Sequence, residues 1–347
     1  MDEAQFEQWK EHFAGRVVGR RGRALTRSYL MYIENLSKEG LPPIFEMAHL
    51  AQLIGVKYEL LAEIAHEPHR FYRTFTIPKR SGGIRCIDTP RPILLNIQRW
   101  IFKEVLSKLN ASENAHGFER NRSIITNARV HVGNAELLKI DIKNFFPSVA
   151  FEKVFEIFKR AGYPNNVCKA LSRLTTKNGC LPQGAPTSPI ISNLSCVEMD
   201  LLLNNSAEES GLVYTRYADD MSFSGDRIPD GMEESISSIA SKFGFQLNGN
   251  KTCLSREGQR KIVTGISISS GELRLPRSYV RELRKQVHFV VNHGISAHSS
   301  VIQDNDPLLI DRLLGMVAFW LQVSPESRAA QRANDSLREY VRGFDAA

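Results

Sequence analysis

Two adjacent aspartates, Asp219 and Asp220, stand between two short apolar runs at 212–217 and 221–224. That pattern predicts a tight β-hairpin with a carboxylate pair at its tip. Side by side, the two acids repel, and their pKa values rise unless a strong positive charge stands nearby. A solvated turn, where Asp is common, would hold the same pair. A third acid changes the balance. Leu138-Lys139-Ile140-Asp141-Ile142 reads as a strand, with Leu138, Ile140 and Ile142 on one face and Asp141 on the other. A charge there must reach water or meet a cation, because burying it unpaired is costly. Two segments that converge with three carboxylates suit a pair of divalent cations about 3.5–4 Å apart. Magnesium fits an all-oxygen donor set shared with water and phosphate.

The rest of the chain narrows the partner. Lys and Arg number 45 against 38 Asp and Glu, a net charge of +7, which favours a polyanion. None of the five cysteines forms a CxxC pair, so zinc is not expected, and their odd number fits a reducing compartment. The opening Met1-Asp2-Glu3-Ala4-Gln5 is acidic where a signal peptide would be basic and then apolar, and no run has the length of a membrane span. A cytoplasmic protein without membrane contact is expected. His66 and His69 flank a proline and lack an evident third ligand, so they read as surface residues.

Along the chain, residues 3–66 read as mostly helical, with a helical hairpin over 48–65 broken at Ile54-Gly55-Val56. Strands at 74–78 and 84–88 are joined through Ser81-Gly82-Gly83. Helices follow at 94–109, 151–160 and 167–175, around the strand at 137–142. From 276 the chain is helical and basic, with Arg277, Arg281, Arg284 and Lys285 on one helix, and Ser324-Pro325-Glu326 reads as the start of the last one. The expected class is α+β.

Tyr217-Ala218-Asp219-Asp220 resembles the signature box of reverse transcriptases, with Asp141 in the place of their first catalytic aspartate. Other blocks occur in the family's order: Leu181-Pro182-Gln183-Gly184-Ala185-Pro186-Thr187-Ser188-Pro189, and Gly249-Asn250-Lys251-Thr252. Asn127-Ala128-Arg129-Val130-His131 and Val263-Thr264-Gly265 match the Asn-Ala-x-x-His and Val-Thr-Gly patterns of the retron enzymes, so the resemblance is to the bacterial retron type. It implies a right-hand polymerase: an N-terminal helical region over 1–70, fingers over 71–136, a ferredoxin-like palm over 137–268, and a helical basic thumb over 269–347.

The resemblance further implies Asp141, Asp219 and Asp220 as catalytic residues and as ligands of two Mg2+ ions, with the Ile142 carbonyl as an added ligand. Phe146 takes the place of the steric gate that excludes a ribose 2′-hydroxyl, though an aromatic there also suits a core. Lys79, Arg85, Gln183 and Lys251 are expected at the dNTP, and Arg277, Arg281, Arg284 and Lys285 at the RNA-containing duplex. Asn127 and His131 are expected at RNA, with a structural role equally open for His131. The implied activity is RNA-directed DNA synthesis that copies a structured non-coding RNA (msr-msd) into branched single-stranded DNA (msDNA), primed by an internal guanosine 2′-hydroxyl. The implied setting is antiphage defence with a separate effector protein. Another bacterial reverse transcriptase, of group II intron or diversity-generating type, or a catalytically silent RNA-binding scaffold, are the alternatives.

Overall fold

A computed structural model describes residues 20–78, 82–302 and 306–345. The N-terminal part is helical: α1 (Arg20–Lys38), α2 (Met47–Ile54) and α3 (Tyr58–His66). Gly55 ends α2 in a left-handed conformation (φ 80°) and donates to the carbonyls of Ala51 and Gln52, which turns the chain into α3. The helical hairpin expected over 48–65 is therefore present. Strands β1 (Tyr72–Pro78) and β2 (Ile84–Pro90) pair antiparallel, each running two residues closer to the body of the protein than the sequence pattern indicates. Helix α4 (Pro92–Glu104) then opens with proline in its first turn, where no amide partner is lost.

The centre is a four-stranded antiparallel sheet in the order β4-β5-β3-β6, built from β3 (Glu136–Asp141), β4 (Val213–Tyr217), β5 (Asp220–Gly225) and β6 (Cys253–Ser255). Helices α6 (Phe151–Arg160), α7 (Asn165–Thr175), α8 (Ser188–Ser195) and α9 (Val197–Glu209) connect β3 to β4, and α10 (Met232–Lys242) connects β5 to β6. Each crossover skips one strand, which is the split β-α-β-β-α-β arrangement expected of a ferredoxin-like sheet. The expected alternation in β3 holds. Leu138, Ile140 and Ile142 enter a core shared with Met221 and Phe223, whereas Leu137 enters a second core.

That second core belongs to the C-terminal helices α11 (Arg277–Ile302), α12 (Leu309–Val323) and α13 (Arg328–Asp345). A small hairpin, β7 (Ile262–Val263) with β8 (Ile266–Ser267), and a short helix α5 (Ile124–Arg129) supply Val263, Ile266 and Ala128 to it. Helix α11 breaks at Gly294 (φ 83°, ψ 167°). The last helix starts later than expected: Ser324 closes α12 by donating its amide to Trp320, and the Ser327 hydroxyl accepts from the Ala330 amide. Among the described residues no helix is long and apolar enough to cross a membrane.

Two residues expected at RNA lie inside this frame. Asn127 is 1 % exposed and His131 0 %, so neither side chain presents a surface to a ligand. Asn127 reaches the Thr264 hydroxyl at 3.4 Å, joining the two retron-like patterns within the protein. The His131 ring bridges the back of the central hairpin, 2.7 Å from Thr215 Oγ1 on β4 and 2.6 Å from Ser224 Oγ on β5. Hydroxyls can donate or accept, so both ring nitrogens are satisfied in the neutral state. Both side chains thus take their partners within the protein, which for His131 matches the structural role left open beside RNA contact.

Burial, with a smaller contribution from His116, pushes the His131 pKa down to about 4. In the unfolded chain the ring titrates near 6.5. Between those values the unfolded chain takes up a proton that the fold refuses, so stability falls as pH drops from about 6.5 to about 4 and levels off below. The His131 share of that fall is about 3 kcal/mol at most. In a His131→Asn variant, urea unfolding followed across this window will show a shallower acid limb. An unchanged pH slope would remove His131 as its source.

Candidate active site

The site forms where β3 ends against the tip of the β4–β5 hairpin. Antiparallel register sets Asp141 opposite Asp220, and the Ile142 amide donates to the Asp219 carbonyl at 2.9 Å. The turn itself is two residues, Ala218 and Asp219, between the paired Tyr217 and Asp220. Ala218 has φ 57°. A left-handed alanine costs roughly 1–2 kcal/mol, so the surroundings must enforce it. Gly117 presses on the turn from behind, and a Cβ added there would lie 2.7 Å from the Ala218 nitrogen. Three acids from two distant segments thereby share one corner.

Asp141 is largely buried and its oxygens are engaged: Lys251 Nζ lies 2.7 Å from Oδ2, and the Asn248 amide donates to Oδ1 at 3.1 Å. The Asn248 backbone also donates to the Asp141 carbonyl at 2.8 Å. Lys251 sits on a short 3-10 turn, Gly249–Lys251. Its ion pair with Asp141 raises its pKa above the usual lysine range. Burial, then repulsion from Asp220 and Asp141, raises Asp219. Burial also raises Asp220, where Asp141 adds to the shift and Lys139 opposes it. Lys251 and Lys139 therefore stand against three acids.

Among the described residues, no three Asp, Glu, His or Cys side chains stand in ready metal-holding geometry. The chemistry of the donors nevertheless fits a hard divalent cation. They are oxygen ligands, two of them destabilised as anions by burial and by neighbouring carboxylates, which a bound cation would relieve.

Besides Lys251, three residues expected at the nucleotide are described: Phe146, Gln183 and Arg85. Phe145 is core, its ring tilted against that of Phe245, whereas Phe146 is only partly buried. The Phe146 ring stands 6.2 Å from that of Phe118, whose own ring is 6.5 Å from Tyr217. Phe118 is 46 % exposed and has φ 64°, a strained aromatic beside the site that sequence patterning did not single out.

Gln183 is partly exposed on a loop that joins two regions. Its carbonyl accepts from the Asp88 amide of β2 at 2.8 Å, while Leu181 donates to Val149 near the central sheet. Gly184 has φ 129°, and a Cβ there would meet the Asp88 carbonyl at 3.0 Å, so only glycine lets the two backbones meet. Lys177 bonds Asp88 and Thr74 beneath the hairpin. Arg85 is exposed on β2, opposite Ile77. Lys79 lies outside the described residues.

On α11, Arg277, Arg281, Arg284 and Lys285 are exposed, and Leu283, Val287 and Val290 are buried on the opposite stripe. The helix period thus produces a basic outer face.

Comparison with known proteins agrees with this geometry. Residues 77–289 match the family model described as reverse transcriptase (RNA-dependent DNA polymerase). The Retron Ec86 reverse transcriptase of Escherichia coli is 32 % identical over 83 % of this chain and 88 % of its own length. The Retron Mx65 reverse transcriptase of Myxococcus xanthus is 34 % identical over 86 % of this chain and 73 % of its own. A second Myxococcus xanthus protein, the Retron Mx162 reverse transcriptase, is 32 % identical over 74 % and 61 % respectively. Reverse transcriptases generally use divalent metal ions. The mixed fold of helices and sheets is that of a right-hand polymerase. With three aspartates meeting at its palm corner and this likeness along most of its length, the chain belongs to the retron-type reverse transcriptases and is an RNA-directed DNA polymerase.

Proposed function

We propose that this polymerase copies part of a structured non-coding RNA (msr-msd) into single-stranded DNA, starting from the 2′-hydroxyl of an internal guanosine and leaving a branched RNA–DNA product, msDNA. Support comes above all from the corner in which Asp141, Asp219 and Asp220 converge, in a chain about a third identical to retron enzymes. The working parts are fingers over 71–136, palm over 137–268 and thumb over 269–347. The setting is the cytoplasm, and the role is antiphage defence beside a separate effector protein.

Asp141, Asp219 and Asp220, with the Ile142 carbonyl, would hold two Mg2+ ions. When bound, these supply an activated attacking hydroxyl and neutralise the departing pyrophosphate. The chain's own groups do the rest. Lys251 neutralises Asp141 before substrate arrives and is exposed enough to turn toward a phosphate. Arg85 on the hairpin offers a planar fork to triphosphate oxygens, with Lys79 as a second cation. Gln183 positions the nucleotide through an uncharged amide. Phe146 stands beside the corner as the wall a 2′-hydroxyl would strike. Arg277, Arg281, Arg284 and Lys285 track the backbone of the RNA–DNA hybrid, which is read by shape and charge.

Asp219→Asn or Asp141→Asn abolishes primer extension on an RNA template while RNA binding, measured by filter retention, survives; polymerisation at the parental rate would end the assignment. Phe146→Ala admits ribonucleotides, lowering the ratio of dNTP to rNTP incorporation by up to about 10²-fold. An unchanged ratio removes the gate. The decisive experiment for the retron reading is extraction of nucleic acid from the purified protein with and without debranching enzyme. A short folded RNA carrying DNA that is freed only by debranching is expected; an intron RNA, or no covalent DNA, would exclude it.

A further inference from the structure

Two residues before Ala218 lies Arg216, at 0 % exposure the largest fully buried side chain among the described residues. Asp200 on α9, also fully buried, grips it with both oxygens: Nε to Oδ1 at 2.8 Å and Nη2 to Oδ2 at 2.7 Å. Tyr214 donates its hydroxyl to the same carboxylate at 2.8 Å. Burial opposes the charge on Arg216, but Asp200 more than offsets it and holds the guanidinium protonated. A buried ion pair is weak evidence of stabilisation, since apolar pairs of like volume often serve a fold as well. What an apolar pair could not supply is the remaining donor. Arg216 Nη1 reaches forward to the Ala218 carbonyl at 3.1 Å and sideways to Asn193 Oδ1 at 3.0 Å. Asn193 in turn donates to the Gly117 carbonyl at 2.7 Å, and Gly117 is the residue pressed against the Ala218 amide.

We propose that Arg216 is a positioning residue for DNA synthesis: anchored by Asp200, it fixes the Ala218 carbonyl, and with Asn193 and Gly117 it holds the left-handed turn that aims Asp219 and Asp220. The strained alanine requires such a hold, because a left-handed residue persists only where its surroundings over-determine it. Arg216 acts through the turn and touches no reacting atom. The inference rests on Asp219 and Asp220 being the reacting carboxylates.

Arg216→Lys keeps the charge beside Asp200 but loses the fork that reaches Ala218. Primer extension on an RNA template, with kcat and KM for dTTP measured separately and folding followed by circular dichroism, reads the result. A folded Arg216→Lys protein with kcat reduced by about 10–100-fold and KM changed far less is expected, since a misplacement of about 1 Å can cost 10²-fold. Parental kcat, or a loss that merely follows the unfolded fraction, overturns the role. Should Arg216→Lys fail to fold, Gly117→Ala displaces the same turn from its other side with the ion pair intact. It is expected to lower kcat in the same way, and parental kcat there overturns the proposal. Asp219→Asn is assayed beside them. If it is inactive while the Arg216 variant is unaffected, the positioning role alone fails. If it is active, the carboxylate assignment fails first.

Discussion

The antiparallel pairing of β3 with β5 is the contact from which the site follows. It sets Asp141 against Asp220 and sends Leu138 and Ile140 into the main core, so the acids and the packing depend on one register. A slip of one residue would exchange the two faces, exposing the apolar set and burying the wrong side chains. The pairing is enforced from several directions. The Ile142–Asp219 hydrogen bond extends it past the strand end, β6 pairs along the other side of β3, and His131 ties β4 to β5 from behind. Stability and placement of the acids are one property here.

Charge is arranged around that register in two layers. At the surface of the corner, Lys251 is the chain's own counterion for Asp141, while Asp219 and Asp220 stay raised by burial and repulsion. Such a set is unfavourable as it stands and becomes favourable when positive charge arrives, which suits a centre that binds metal and polyanionic substrate together. Beneath it, Asp200 and Arg216 cancel each other out of reach of water. The upper layer can exchange partners. The lower one is closed, and its directionality rather than its net charge reaches the turn above.

Much of this was legible in the residue order, and the failures have physical reasons. The strand before Asp141 and the hairpin around Asp219 and Asp220 show alternation on a half-buried sheet, the pattern that reads most directly. Helix α8 was not anticipated: Ser188 and every residue from Ile190 to Leu194 are buried, so the segment has no polar face and no helical period to detect. Asn127 and His131 look like ligand-binding polar residues until their partners are known, and the hydroxyls that satisfy His131 lie 84 and 93 positions further along the chain. Asn248 stands just outside the block that holds Lys251 and carries no signal of its own. Arg216 left a faint one: the strand's one charge, in phase with Tyr214, both of which turn out to meet Asp200.

The hairpin of β1 and β2 has a mechanical consequence. Six of the seven residues of β1 are exposed, so the projecting strands have almost no core of their own, and they are secured at Asp88 through Gln183, Lys177 and the space left by Gly184. Such an arm would tilt as a lever, with its pivot at Asp88, where these contacts lie. From there to Ile84 is about 13 Å of strand, so a tilt of about 10° at the pivot carries the far end roughly 2 Å. A tilt there would carry Arg85 with it, on the strand whose Asp88 amide donates to the Gln183 carbonyl.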